Sequence, residues 1–213
     1  MIDIVPAVLP KSVGELTETL ARLKGIASLI QIDLVGENVL AESEAVPQWE
    51  EFDFEFDLMT HDSLQDARSA VSLGATRVVI HSDFPKAAEA LEMLQQTRSG
   101  NYPVLVGVAL PCVVEPAALD DFAGLYDFVQ VMGIAEVGAQ GRPFDARALT
   151  LVSALRATHP KLLIQVDGAV AGHAKELVAA GANRLVAGSA IVNADDPKKV
   201  YTALYNSVNG ILA

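Results

Sequence analysis

Short runs of apolar residues recur along the chain, and most are followed by a stretch in which apolar positions return every three or four residues. The runs are 2–9, 28–34, 54–59, 77–81, 103–110, 128–132, 162–166 and 184–187. Several are apolar at nearly every position, as parallel strands covered on both faces must be. Helical spacing falls at 13–23, 63–73, 85–97, 146–157 and 174–180, with a short further helix expected from Ser189. Gly74 and Gly181 stand where helices should stop, and Asp145 where one should be capped. The connection around 42–51 is irregular and rich in Glu, so any helix there is short.

Eight strand-centred units in 213 residues, with no Pro/Ser-rich linker and no break in composition, predict one domain over 1–213. The expected architecture is a single (β/α)8 TIM barrel, an α/β fold. A doubly wound open sheet is the rival, but no Gly-x-Gly-x-x-Gly loop follows the first strand. An internal echo, Leu-Gly-Ala-Thr-Arg-Val-Val-Ile at 73–80 and Ala-Gly-Ala-Asn-Arg-Leu-Val-Ala at 180–187, fits a repeated unit of helix end, turn and buried strand.

Composition narrows the partners. The chain is 51% hydrophobic and 20% charged, enough to bury a substantial core. Its 15 Lys and Arg against 27 Asp and Glu leave a net charge of −12, which disfavours nucleic acid and acidic membranes. An anionic ligand would therefore need local donors rather than a basic field. The single Cys112 excludes an internal disulfide framework and a cysteine-rich zinc site. The start carries no basic, then apolar, leader pattern, and no uncharged apolar stretch nears the ~20 residues of a membrane span. The expectation is a soluble cytoplasmic protein. The irregular segment at 42–51 could pair copies of the chain into a homo-oligomer.

In such a barrel the chemistry lies at the carboxyl ends of the strands. Those ends carry Asp33, Asp57, His81 and Asp167, three carboxylates and an imidazole, with Gln31 two positions before Asp33. Asp33 and Asp167 stand out because each closes an alternating apolar pattern. Two glycine turns, Gly168-Ala169 after the seventh strand and Gly188-Ser189 after the eighth, offer backbone amides that can hold a phosphate without basic side chains.

With these residues in view, the chain resembles the ribulose-phosphate 3-epimerase family over nearly its whole length. Gln31-Ile32-Asp33-Leu34-Val35 is similar to that family's His-x-Asp-x-Met, and Asp57-Leu58-Met59 to its His-Leu-Met. Val166-Asp167-Gly168-Ala169 resembles its Val-Asp-Gly-Gly, and the stretch from Ala180 to Ile191 is closer still. The resemblance implies a divalent metal held by two His and two Asp, with the two Asp also serving as acid and base. Here Asp33 and Asp167 remain, while the His positions read Gln31 and Asp57. That oxygen-rich set suits magnesium or manganese better than zinc. The resemblance also implies phosphate contacts at Gly138, Gly168, Ala169, Gly188 and Ser189, and a substrate pocket bounded by Ala7, Met59, His81 and Met132. Ala7 replaces a family Ser, and the sixth loop, 133–142, departs from the family's wording.

The function implied is an isomerase that interconverts pentulose 5-phosphates by proton transfer at carbon 3, its partner a small phosphorylated sugar. Two alternatives stand beside it. A related phosphosugar lyase or decarboxylase would show Asp-x-Lys-x-x-Asp, whereas Asp33 is followed by Leu34-Val35-Gly36-Glu37. A non-catalytic phosphosugar-binding barrel would explain the altered ligand positions.

Overall fold

Eight strands close on themselves in chain order: β1 (Asp3–Val8), β2 (Leu29–Gly36), β3 (Asp53–Thr60), β4 (Arg77–His81), β5 (Leu105–Leu110), β6 (Phe128–Met132), β7 (Leu163–Asp167) and β8 (Arg184–Ala187). Every neighbouring pair is parallel, and β8 bonds to β1 to complete the ring. The chain is thus a (β/α)8 TIM barrel. The computed structural model describes all residues except 42, 44, 48, 49, 101, 102, 140 and 211–213.

Among the described residues seven α-helices dress the barrel: α1 (Val13–Leu23), α2 (Ser63–Ser72), α3 (Ala87–Ser99), α4 (Arg147–Thr158), α5 (Ala174–Ala180), α6 (Ser189–Val192) and α7 (Pro197–Asn209). Their starts follow from local chemistry. The side chains of Ser12, Asp62 and Asp196 accept from the backbone N–H of Glu15, Gln65 and Lys199, so each satisfies an orphan donor of a first turn. Leu16, Leu20 and Leu23 of α1 line one stripe and are wholly buried against the strands. Each such leucine contributes roughly 1.5–3 kcal/mol of burial.

The structure departs from the sequence reading in three places. Among the described residues no helix joins β2 to β3; Glu42, Glu44, Gln48 and Trp49 of the Glu-rich connection lie outside them. After β5, where no helical spacing was read, the chain makes a 3₁₀ segment, Pro116–Phe122. Asp145 is not the cap residue of α4: it lies one position too early, although its Oδ1 accepts from Arg147 N at 3.0 Å. The sequence reading also missed α7. Asn209 at its end accepts from Ile2 N and donates to Ile2 O, at 2.8 and 3.0 Å, which clasps α7 to the start of the chain.

Most of the core lies between the strands and the helices. Inside the barrel, small apolar groups sit on two sides, Val5, Ala7 and Val186 on one and Val79, Ala109, Phe128 and Met132 on the other. Branched apolar residues usually fill such an interior. Here Gln31, Glu55, Gln130, Gln165 and Arg184 cross it instead, and all five are buried. No helix among the described residues is long and apolar enough to cross a membrane.

Candidate active site

Strand pairing places Asp33 beside Asp57, while Asp167 closes β7, which β8 and β1 separate from β2. Successive strand residues point to opposite faces, so Gln31, Asp33 and Val35 all enter the barrel, as do Glu55, Asp57 and Met59. The three carboxylates converge, with one oxygen of each lying within 4.8 Å of the others. Asp33 and Asp167 retain 7% and 8% exposure and face a pocket, whereas Asp57 has none.

The pocket encloses about 510 Å³, solvent at its mouth included. Asp33 and Asp167 form its floor, with Ala7, Met59 and Met132 around them. The β7–α5 turn brings Gly168 and Ala169 to its wall, and the β8–α6 turn brings Gly188 and Ser189. Gly168 has φ +103°, which L side chains rarely adopt. The neighbouring loop crosses so close that a Cβ on Gly133 would stand 2.1 Å from Gly168 O, and Gly133 N donates to Asp167 O at 2.5 Å. That contact fixes the turn next to Asp167. Gly138 lies against Val35 at the pocket edge, and Arg142, paired with Glu136 at 3.1 Å, lines the same wall.

Three residues expected at the site sit below the floor. His81, expected in the substrate pocket, does not line it. It is wholly buried, its Nε2 2.8 Å from Asp57 Oδ1 and its ring edge-on to Phe84. Burial opposes a charge on this imidazole, but Asp57, with Asp83 and Asp167, outweighs it and raises the pKa. His81 is therefore the hydrogen-bonded partner of Asp57, and a charge on its ring is favoured by that carboxylate. Asp57 reaches the cluster from beneath, its Oδ2 accepting from Gln130 Nε2 at 2.8 Å. Gln31, expected as an oxygen donor, presents its nitrogen: Nε2 donates to Asp33 Oδ1 at 2.7 Å and Asp167 Oδ2 at 3.2 Å.

The carboxylates crowd one another in a dry place. Burial, then the charges of Asp167 and Asp57, hold Asp33 well above the usual carboxylate range. Burial, then Asp57, pushes Asp167 up to about 7, with Gln31 and His81 resisting. One of the pair can thus keep a proton near neutrality while the other is ionised, the division of roles that acid–base catalysis needs. Sequence reasoning missed Gln130, Gln165, Glu55 and Arg184. Gln130 and Gln165 carried a signal in retrospect, each being polar at an inward position between apolar neighbours.

The sequence pattern of the Ribulose-phosphate 3 epimerase family matches residues 4–192. Among curated proteins, ribulose-phosphate 3-epimerase of Schizosaccharomyces pombe is 32% identical over 148 residues, 69% of this chain and 60% of that protein. The cytoplasmic isoform of Oryza sativa subsp. japonica is 41% identical over 85 residues, 39% of this chain and 37% of that protein. The matched part therefore spans less than two thirds of these relatives. Among solved structures, KGPDC from Streptococcus mutans superposes with a TM-score of 0.73 at 12% identity, covering 100% of this chain and 100% of that one. A 3-hexulose-6-phosphate synthase from Salmonella typhimurium gives 0.71 at 18%, covering 99% and 100%. Likeness at such low identity speaks to the barrel alone. The match over residues 4–192 is what assigns descent, and by it the chain belongs to the ribulose-phosphate 3-epimerase family.

Proposed function

We propose that this protein is an isomerase that interconverts pentulose 5-phosphates by moving a proton at the carbon beside the ketone. The observation that carries the reading is the placement of Asp33 and Asp167, on well-separated strands, at the floor of one pocket. Epimerisation needs one group to take the carbon-bound proton and another to return one on the opposite face. In this scheme the ionised carboxylate of the pair accepts the proton and the protonated partner delivers its own, so the two exchange states in each turnover. Val35, Met59 and Met132 border the floor and exclude water from the enediolate formed between the steps. The turns at Gly168-Ala169 and Gly188-Ser189, with Gly138, grip the phosphate through backbone amides, and Arg142 stands within reach to assist.

A divalent cation fits this donor set. Asp33, Asp57 and Asp167 offer clustered, buried, oxygen-only ligands, the chemistry that magnesium or manganese prefers and zinc tolerates. When bound, such an ion supplies positive charge against the enediolate oxygens. The rice relative's name, cytoplasmic isoform, and the lone buried Cys112 support work in the cytoplasm.

The test is incubation with ribulose 5-phosphate in deuterated water, with and without magnesium, manganese or zinc. Deuterium should enter at carbon 3 and fail to enter in Asp33→Asn and Asp167→Asn. Phosphosugar binding without exchange under any metal would instead leave a non-catalytic binding barrel.

A further inference from the structure

Below the carboxylates lies a chain of amides with a direction. Arg184, the first residue of β8, donates from Nη1 to Gln165 Oε1 at 2.9 Å. Gln165 Nε2 then donates to Gln130 Oε1 at 2.6 Å, to Glu55 Oε1 at 2.6 Å and, more weakly, to Gln31 Oε1 at 3.3 Å. With their oxygens occupied from below, Gln130 and Gln31 turn their nitrogens upward. Gln130 Nε2 donates to Asp57, and Gln31 Nε2 to Asp33, Asp167 and, at 3.4 Å, Asp57.

The guanidinium end, with Glu55, fixes that direction. The guanidinium donates and never accepts, and the carboxylates at the other end, at least one of them ionised, take hydrogen bonds from the amides. Reversing Gln31 alone would set its nitrogen against that of Gln165. Reversing both would set the nitrogen of Gln165 against Arg184. Glu55 holds Gln165 from the same side, so its amide is clamped at oxygen and nitrogen together. Arg184 is itself immobilised. It is 4% exposed, its guanidinium carbon lies 5.5 Å from the centre of the Phe128 ring, and Nη1 is 3.7 Å from Glu55 Oε2.

We infer that Arg184 is a positioning residue: through Gln165 it orients the amides of Gln31 and Gln130 so that nitrogens, not oxygens, face Asp33, Asp57 and Asp167. The carboxylate pair is then held by donors from beneath and left open on the pocket side, where a substrate carbon must approach. It follows that Gln31 does not add an oxygen to a bound cation unless the whole amide chain reverses.

The test is side-chain amide NMR on the metal-free protein, with the signals assigned by their loss in Gln31→Met and Gln130→Met. In the wild type both amides should show slow solvent exchange and strongly displaced shifts. Arg184→Met should broaden or shift both sets, and Arg184→Lys, which still donates, should restore them in part. Gln165→Met removes the link without adding charge and should act like Arg184→Met, so the inference stays testable if the latter fails to fold. Amide signals unchanged in a folded Arg184→Met or Gln165→Met protein would overturn it. A kinetic arm rests on the epimerase reading: kcat should fall about ten- to a hundredfold in Arg184→Met with KM little changed. The NMR arm needs no turnover, so failure of this inference and failure of the epimerase reading are separate results.

Discussion

Replacing Asp167 with Asn should make the protein more stable, and more so as pH rises. In the fold Asp167 holds its proton to about pH 7, against the ordinary aspartate value of 3.8. Between those limits the folded state binds a proton that the unfolded chain has released, so stability falls as pH rises through the window and levels off above it. The interval is about three pH units, and at about 1.4 kcal/mol each it caps the cost of ionising Asp167 at about 4 kcal/mol. Asp33 and His81 are raised too, and their contributions carry the same sign. Asn cannot ionise, and its carbonyl still accepts from Gln31, so the variant escapes the penalty while keeping the contact. By the same linkage the gain is about 4 kcal/mol at most near pH 8.5 and about 2 kcal/mol near pH 5.5. Urea unfolding of both proteins at these two pH values, in a chelator so that no cation screens the cluster, measures the difference. That difference, about 2 kcal/mol, is the quantity to read, because any pH-independent effect of the swap cancels. Equal gains at the two pH values, or a variant relatively weaker at the higher one, would refute the account of why Asp167 keeps its proton.

Other outcomes follow from the same structure. Manganese at a hundred times its dissociation constant should raise the wild-type unfolding free energy by about 2.7 kcal/mol, read by urea unfolding, and should do much less in Asp33→Asn. Ala169 has φ +53°, where a glycine costs less, so Ala169→Gly should be neutral or stabilising by up to about 1 kcal/mol in thermal melts. A Cβ on Gly107 would meet Phe128 Cζ at 2.5 Å, so Gly107→Val should destabilise by about 1–3 kcal/mol in urea. Gly188→Val should abolish calorimetric binding of ribulose 5-phosphate while the chain stays folded, and unchanged affinity would place the phosphate elsewhere.

The barrel was legible because its signals are local and repeated. A buried apolar strand leaves the same signal eight times over, most often with an amphipathic helix beside it, and an error in one unit does not disturb the rest. Where the pattern failed, the reason is physical. The segment Pro116–Phe122 has Pro at its start and two Asp near its end, which suit a tight turn better than a long helix. Helix α7 carries a stripe at helical spacing, Val200, Tyr201, Leu204, Tyr205 and Val208, that packs on the core, but only Leu204 is fully buried and two of the five are tyrosines, so the stripe is easily passed over. Pro197, the Asp196 cap and the Asn209 clasp fix its two ends.

The site was legible only at the level that strand ends report. Asp33 and Asp167 announce themselves because a carboxylate after an apolar strand has nowhere to go but the rim. Gln130 and Gln165 sit mid-strand, where one polar residue among apolar ones usually reads as a satisfied exception. Their meaning depends on register: Gln165 pairs with Gln130 on one side and with Arg184 on the other, which no single strand records. The same register gives Asp57 its partner. His81 closes β4, and His81 Nε2 reaches back to Asp57 Oδ1 on β3. The resemblance sets Asp57 against a histidine of the family, and in this structure an imidazole contacts the same corner of the cluster, from the adjacent strand and from outside the pocket. A carboxylate that gained no such partner would add an uncompensated buried charge beside Asp33 and Asp167, at a cost of several kcal/mol. A carboxylate at position 57 is therefore sustained by His81 and Gln130 together, and the cluster holds this third carboxylate without leaving it unpaired.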